Sequence, residues 1–285
     1  MRTITPLRAT HFSAKRHSGA LGATLTGLQL ADGLSPEQAN FVKGALLEHQ
    51  VIFIRDQDLS PQQFFDFAKT IGEPIEYPFV DGIEGYPCII EVKKLEHERA
   101  NFGGVWHSDT TYLEEPPMGS MLLAREVPPY GGDTLFANQY LAYETLSAEM
   151  KRIVDPLVGI ATSAQADISK TREDRMKSDG RPGTVQHFCA EHPAVRTHPE
   201  TGRKALYVNA AHTAGFRGMS DAESRPLLEF LFQHQVKPEF TCRFAWEANS
   251  IALWDNRCTQ HNPVNDYHGF RRVMQRITLK GDRPR

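Results

Sequence analysis

The spacing of apolar residues predicts two helices in the first quarter of the chain. The first predicted helix covers residues 35–47. It begins with Ser-Pro-Glu-Gln at Ser35–Gln38, and apolar residues at helical spacing follow. There the serine caps the helix, proline takes the first helical position and glutamine completes a capping box. Ser60–Gln63 repeats this signal before an apolar stripe that covers residues 60–71. Between the helices, Val51–Ile54 is an apolar, β-branched run typical of a buried strand.

Short apolar runs separated by turn signals dominate the rest of the chain. Pro-Pro and Gly-Gly pairs at 116–117, 128–129 and 131–132 interrupt the middle of the sequence. Further strands are predicted at 205–208, 240–244, 250–254 and 276–279, and helical segments at 141–157 and 221–235. Many short strands with few helices predict a mainly β protein, a double-sheet jelly-roll fold with flanking α-helices.

Residues 162–190 break this pattern because they carry many charges and few apolar side chains. A polar segment of that length is either functional or disordered, and we predict a lid or insert over the site. No internal repeat divides the chain. We therefore expect one domain spanning residues 1–285.

Composition narrows the classes of partner. The formal net charge is −3, so no overall basic field favours nucleic acid or an anionic membrane. The sequence has no apolar run of membrane-spanning length and no secretory signal. Its four cysteines form no CxxC pair, which favours free thiols in a reducing, cytoplasmic setting. We expect a homo-oligomer that acts on small molecules.

The candidate chemistry begins at Trp106-His107-Ser108-Asp109. In a strand, residues two apart point to one face, so His107 and Asp109 are predicted to reach the same metal ion. His261 is the third candidate ligand. Two histidines and one carboxylate on one side of a metal form the facial triad of non-haem Fe(II) oxygenases. An isolated His-x-Asp is more often incidental than metal-binding.

The other histidines show no comparable spacing. Those predicted to lie on the surface or in loops are His97, His192, His198, His212 and His234. His268 lies in a turn-like Tyr-His-Gly sequence and is harder to exclude as a ligand.

Two arginines near the C-terminus form a second candidate element. Arg272 and Arg276 are four residues apart and share one face of a predicted strand with Met274. A buried arginine is costly unless it meets an anion, and its guanidinium matches a carboxylate with two parallel bonds. A solvated basic edge strand is the alternative. Gly131-Gly132-Asp133-Thr134 adds a tight turn and a hydroxyl at a strand start, but Gly-Gly-Asp alone is a common hairpin.

Together these motifs resemble those of the taurine dioxygenase and 2,4-dichlorophenoxyacetate dioxygenase family. The matching pieces are Trp106–Tyr112 with Pro116-Pro117, Gly131–Thr134, Trp254–His261 and Asp266-Tyr267 with Arg271–Arg276. The resemblance implies a double-stranded β-helix, Fe(II) as metal and 2-oxoglutarate as co-substrate. It implies that His107, Asp109 and His261 hold iron.

The same resemblance implies roles for the remaining motif residues. Thr134 and Arg272 would bind the distal carboxylate of 2-oxoglutarate. Arg276 would grip an anionic substrate, in preference to assisting the co-substrate. Two positions that contact substrate in the taurine-cleaving members align with Tyr77 and Val80. The segment around them is more apolar than a taurine pocket, which predicts a bulkier, partly apolar anion.

The predicted reaction is hydroxylation by dioxygen of a sulfonate, alkyl sulfate or aryloxyalkanoate, with C–S or C–O cleavage where the hydroxyl lies beside a heteroatom. Succinate and carbon dioxide are the co-products. One alternative is a metal-dependent hydrolase or isomerase on a cupin-like barrel, without 2-oxoglutarate. Another is a binding module that has lost its metal.

Overall fold

The computed structural model describes residues 12–101, 103–165 and 187–285. The helices are α1 (Pro36–His49), α2 (Pro61–Ile71), α3 (Gln139–Glu144), α4 (Ala148–Val154) and α5 (Asp221–His234). The strands are β1 (Ser13–Arg16), β2 (Ala23–Thr26), β3 (Val51–Ile54), β4 (Pro74–Ile75), β5 (Ile89–Lys94), β6 (Gly119–Glu126), β7 (Thr134–Asn138), β8 (Val158–Thr162), β9 (Cys189–Pro193), β10 (Val195–Thr197), β11 (Lys204–Leu206), β12 (Thr213–Phe216), β13 (Thr241–Phe244), β14 (Ile251–Asp255), β15 (Thr259–Pro263) and β16 (Arg272–Leu279). The protein is mainly β, as predicted.

The two predicted N-terminal helices begin at the residues that the sequence indicated. Ser35 Oγ accepts from Gln38 N, and Gln38 Oε1 accepts from Ser35 N. Ser60 and Gln63 exchange the same pair of bonds at the start of α2. The segment 141–157 instead holds two helices, because Ser147 starts α4 by capping Met150 N.

One large sheet carries half of the strands in the described residues. Its order is β1-β2-β3-β14-β6-β16-β4, with β5 also paired to β16. The strands β13-β7-β15 form a second sheet, β12-β8-β9 a third, and β10-β11 a ribbon. Except for the parallel pair β2 and β3, the named pairs are antiparallel.

Each face of the large sheet has its own apolar layer. On the outer face, Leu253 and Ile277 pack with Leu46 and Phe64 of the two N-terminal helices. On the inner face, Trp254 and Met274 pack with Phe136 and Phe244 of the β13-β7-β15 sheet. Alternation along β16 therefore places Arg272 and Arg276 on the inner face with Met274, as predicted. The candidate chemistry lies between the two sheets.

The predicted lid at residues 162–190 falls mostly on 166–186, which lie outside the described residues, and it stays a prediction. Among the described helices, none has both the length and the apolar character needed to cross a membrane.

Candidate active site

A backbone bridge brings two distant histidines together. His107 N donates to His261 O at 3.1 Å, and His261 N donates to His107 O at 2.8 Å. Their ring centroids are 4.1 Å apart. His261 is held by β15, whose pairing with β7 places it opposite Phe136. Sheet pairing therefore decides which histidine joins the His-x-Asp motif.

The His-x-Asp motif does not lie in a regular strand, contrary to the prediction. His107 makes one isolated bridge, and the chain then turns through Asp109 and Thr110, whose φ is +43°. The Asn256 side chain holds this turn. Its Oδ1 accepts from Asp109 N at 2.6 Å, and its Nδ2 donates to Asp109 O at 3.1 Å. A clamped turn, and not strand alternation, aims Asp109 at the histidines.

The three side chains present one ligand atom each to a common point. Asp109 Oδ1 lies 3.6 Å from His107 Nε2 and 3.9 Å from His261 Nε2. Both distances exceed those of a hydrogen bond. All three side chains are buried, and their ligand atoms lie within 4.8 Å of one another. The donor set matches that of a facial Fe(II) site.

The protonation of these groups also suits a metal. His107 Nδ1 lies 2.7 Å from Val105 O and donates to it, which leaves Nε2 as the ring nitrogen that faces Asp109. Burial lowers the pKa of His261 well below its ordinary value, which keeps that imidazole neutral. Burial raises the pKa of Asp109, but Arg276 and the two histidines outweigh it and hold that pKa well below its usual range.

The second oxygen of Asp109 has protein partners. Ser120 Oγ donates to Oδ2 at 2.7 Å, and an Arg276 nitrogen lies 2.9 Å from the same atom. Ser120 and Arg276 sit on the neighbouring strands β6 and β16. Oδ1 is thereby left facing the histidines, an orientation that suits a metal ligand.

Arg272 is the first residue of β16 and lies near Trp246 and Thr134. Its guanidinium carbon is 5.7 Å from the Trp246 ring, and Trp246 Nε1 donates to Thr134 Oγ1 at 2.9 Å. Arg272 and Thr134 are both buried. Within the described part of the chain, the Nε and one terminal nitrogen of Arg272 have no hydrogen-bond partner. This pair therefore offers unused donors to an anion.

The turn before Thr134 requires both of its glycines. Gly131 and Gly132 have φ values of +72° and +69°. A side chain at Gly131 would meet the carboxylate of Asp266 at 2.5 Å, and Gly132 N donates to that carboxylate at 2.7 Å. The predicted close backbone approach is confirmed.

A cavity of about 490 Å³ opens beside the three candidate ligands. Its wall includes His107, Asp109 and Arg276. Aromatic side chains complete that wall: Tyr77, Phe79 and Tyr112. The cavity thus brings the Arg276 cation and two candidate metal ligands next to an apolar, aromatic surface.

Tyr77 and Val80 differ in where they lie. Tyr77 lines the cavity, and the guanidinium carbon of Arg276 is 5.3 Å from its ring. Val80 packs in the apolar cluster that also contains Tyr77 and Phe79, and it is not among the residues that line the cavity. Gly103 also lines it, where an added side chain would meet His107 Cε1 at 2.9 Å.

Comparison with known proteins decides the class of this site. Residues 4–278 match the family described as taurine catabolism dioxygenase TauD, TfdA family. The chain belongs to the TauD/TfdA dioxygenase family. It is therefore an Fe(II)- and 2-oxoglutarate-dependent dioxygenase that uses dioxygen and a small-molecule substrate, as the motifs predicted. The hydrolase or isomerase and the metal-free binding module are not supported.

Several relatives of this TauD/TfdA dioxygenase match it over nearly their full length. An alpha-ketoglutarate-dependent sulfate ester dioxygenase of Pseudomonas putida is 34% identical over 94% of this chain and 89% of its own. An alkylsulfatase of Acinetobacter baylyi is 33% identical over 99% of this chain and 89% of its own. The crystal structure of a taurine dioxygenase from Burkholderia xenovorans superposes with a TM-score of 0.82, at 36% identity over 96% of this chain and 92% of that one.

For this dioxygenase, the prediction of surface or loop positions was wrong for His192 and His234, which lie in β9 and α5, and was confirmed for His198 and His212, which lie in loops. His192, His198, His212 and His234 are buried, whereas His97 is exposed as predicted. His212 lines the cavity and lies 6.0 Å from the His107 ring. Each of the four makes at least one tertiary hydrogen bond in the interior, such as the one between His212 Nδ1 and Thr111 Oγ1. Spacing along the chain carries no signal of such partners.

Ser120, Trp246 and Asn256 were also missed as site residues. Asn256 lies within a quoted motif, but its clamp on Asp109 joins segments far apart in sequence. Ser120 and Trp246 had no motif signal. Ser120 acts from β6 and Trp246 from the loop between β13 and β14, so their roles follow only from the tertiary structure.

Proposed function

We propose that this dioxygenase hydroxylates a sulfate ester of a small, partly apolar alcohol at the carbon that bears the sulfate. One oxygen atom of dioxygen enters the substrate and the other enters succinate, formed from 2-oxoglutarate with loss of carbon dioxide. The hydroxylated carbon then expels sulfate and becomes an aldehyde or ketone. Sulfonates and aryloxyalkanoates are the neighbouring substrate classes. The observation that carries the proposal is one cavity whose wall contains His107, Asp109, the Arg276 cation and aromatic rings, with His261 completing the ligand cluster beside it.

We assign the iron to His107, Asp109 and His261. Two imidazole nitrogens and a charged carboxylate fit a divalent ion, and Oδ1 of Asp109 has no hydrogen-bond donor in the described residues. When bound, Fe(II) supplies the coordination positions at which the 2-oxo acid and dioxygen react.

The distal carboxylate of 2-oxoglutarate is assigned to Arg272 and Thr134. The free donors of Arg272 suit a carboxylate in a dry site, where a charge-assisted bond is strong. Thr134 Oγ1 accepts from Trp246 Nε1, so its own proton remains available to a carboxylate oxygen. Holding this end fixes the orientation of the co-substrate.

The anionic end of the substrate is assigned to Arg276. One nitrogen of this guanidinium is used on Asp109, while its Nε has no partner in the described residues. Tyr77 forms the wall beside the guanidinium, and Val80 supports that wall from behind. The apolar part of the substrate would lie against Phe79 and Tyr112. These rings favour an organic group larger than that of taurine.

The wider architecture completes the proposal. We infer that the two packed sheets form a double-stranded β-helix, or jelly roll, within one domain spanning residues 1–285. The four free cysteines fit a reducing, cytoplasmic setting. We also propose a homo-oligomer whose partners are small molecules, with neither nucleic acid nor membrane among them.

A substrate screen tests the proposal. Purified enzyme with Fe(II), ascorbate and 2-oxoglutarate is offered alkyl sulfates, taurine and other sulfonates, and aryloxyalkanoates, and succinate is measured against a substrate-free control. We expect the largest increase with an alkyl sulfate, together with equimolar sulfate and aldehyde. His261→Ala should bind no iron and release no succinate. If no compound raises succinate above the control, the proposed reaction is wrong.

A further inference from the structure

A second buried cation faces Arg272 across the sheet. Lys94, the last residue of β5, is the Cα partner of Arg272 on β16. Directly opposed residues of an antiparallel pair extend to the same face of the sheet. Lys94 is only 5% exposed and Arg272 only 6%. Two cations thus lie side by side in the interior.

The described protein pairs neither cation directly with an anion, and the nearest acidic groups, Glu98 for Lys94 and Asp133 for Arg272, act on them only from a distance. Lys94 Nζ is buried without a hydrogen-bond partner in the described ranges, and burial lowers the pKa of Lys94. The nearby carboxylate of Glu98 accepts instead from Leu95 N, at 2.5 Å. No ion pair of Lys94 or Arg272 occurs among the described residues. Burying an unpaired charge is costly, and two adjacent ones call for an anion.

Tyr267 joins both cations to the active-site cavity. Lys94 Nζ lies 4.1 Å from the Tyr267 ring centroid, and Arg272 lies against the same tyrosine. The Tyr267 hydroxyl donates to Asn101 Oδ1 at 2.8 Å, and Asn101 lines the cavity. The face shared by Lys94 and Arg272 is therefore next to the catalytic cavity.

We infer that Lys94 is a second cation for the distal carboxylate of 2-oxoglutarate, acting beside Arg272. This inference rests on the proposed function. A carboxylate has two oxygens, so one can accept from the guanidinium and the other from the ammonium. Two cations also select a dicarboxylic 2-oxo acid over a monocarboxylic one. The neutral end of a monocarboxylic 2-oxo acid would leave the charges of Lys94 and Arg272 both unpaired.

Steady-state kinetics of Lys94→Met test the inference. We expect the KM for 2-oxoglutarate to rise about 10-fold, the loss typical of one charge-assisted hydrogen bond. The KM for the primary substrate should stay within about 2-fold. The preference for 2-oxoglutarate over 2-oxovalerate, which lacks the distal carboxylate, should fall by a similar factor. Lys94→Arg should keep most of that preference.

Lys93→Met is the matched control. Lys93 is the adjacent residue on β5, but it pairs with Glu91 at 2.5 Å. Its removal should leave both KM values unchanged. The thermal midpoint of ligand-free Lys94→Met should equal or exceed that of the wild type, because an uncompensated buried charge has been removed.

The outcomes separate the inference from the function on which it rests. If the wild type makes no succinate, the proposed function fails. If the wild type is active and Lys94→Met leaves the KM for 2-oxoglutarate unchanged, Lys94 is not part of that site. A Lys94→Met chain that does not fold would also overturn the inference, since it would show that Lys94 stabilises the fold through Tyr267.

Discussion

Arg276 donates to Oδ2 of Asp109 at 2.9 Å, and this contact leaves Oδ1 of the same carboxylate facing two imidazoles. One guanidinium is thus shared between the candidate metal ligand and the substrate cavity. Arg276 can bind a substrate anion only through the guanidinium N–H groups that Asp109 does not use. The arginine therefore couples the position of the carboxylate to the end of the cavity that we propose binds the substrate anion.

Replacing Arg276 by methionine should weaken substrate binding far more than co-substrate binding. We expect the KM for an alkyl sulfate to rise about 10- to 100-fold, the cost of losing a charge-assisted bond in a buried site. The KM for 2-oxoglutarate should change little. Arg271→Met is the control, because Arg271 pairs with Glu126 away from the site. A larger rise in the KM for 2-oxoglutarate would move Arg276 into the co-substrate site.

Ser120→Ala should weaken iron binding while leaving the fold intact. Ser120 Oγ donates to Asp109 Oδ2 at 2.7 Å. A hydrogen-bond partner of this kind does not bind the metal itself, but it orients the side chain that does. Loss of such a partner typically costs about 10- to 100-fold in metal affinity. Anaerobic titration with Fe(II) measures the effect. Ser224→Ala removes an equally buried hydroxyl that serves Phe216 N, and it should bind iron normally. Equal affinities in the two variants would refute the orienting role.

The apolar wall predicts a chain-length effect on the substrate. Each added methylene of an n-alkyl sulfate should lower KM about 4-fold until the chain outgrows the cavity, because burying one CH₂ contributes about 0.8 kcal/mol. Phe79→Ala should reduce this gain, since Phe79 packs against Tyr112 and Phe188 at the wall. Phe65→Ala is the control: it alters the outer apolar layer and should preserve the decrease in KM for each added methylene. A KM independent of chain length would exclude an apolar binding wall.

A buried ionic network beside β15 should control stability. Asp255 Oδ2 lies 3.0 Å from His198 Nε2 and 2.7 Å from an Arg257 nitrogen. Asp255→Asn should lower the free energy of unfolding by about 3 kcal/mol, because it leaves a buried cation without its main partner. Asp155→Asn breaks a part-exposed pair with Lys204 and should cost under about 1 kcal/mol. Urea unfolding at pH 7 measures both.

The same ionic network around Asp255 determines how the stability of the protein changes with pH. Burial raises the pKa of Asp255, but hydrogen bonds from Arg257 and His198 outweigh it and hold that pKa below its usual range. As the pH falls, Asp255 therefore binds a proton in the unfolded chain before it does so in the folded protein. The stability difference between wild type and Asp255→Asn should be constant near neutral pH and shrink below about pH 4. A difference that grows in acid would show that this carboxylate is not stabilised by its partners.

Local chemistry explains which predictions succeeded. The capping boxes at Ser35 and Ser60 are satisfied within four residues, so the sequence alone locates both helix starts. Alternation along β16 likewise places Arg272 and Arg276 on one face. The turn at Asp109 could not be predicted this way, because the side chain that holds it, Asn256, comes from a distant loop.

The sequence by itself determined the capped starts of the first two helices, several of the strands, the ligand types and the family, since these follow from local propensity and motif spacing. Only the tertiary structure decided how Asp109 faces His261, why His212 is buried, and which cations stay unpaired. The reason is that a hydrogen bond or ion pair between distant segments depends on sheet pairing. Lys94 and Arg272 become neighbours only when β5 and β16 align.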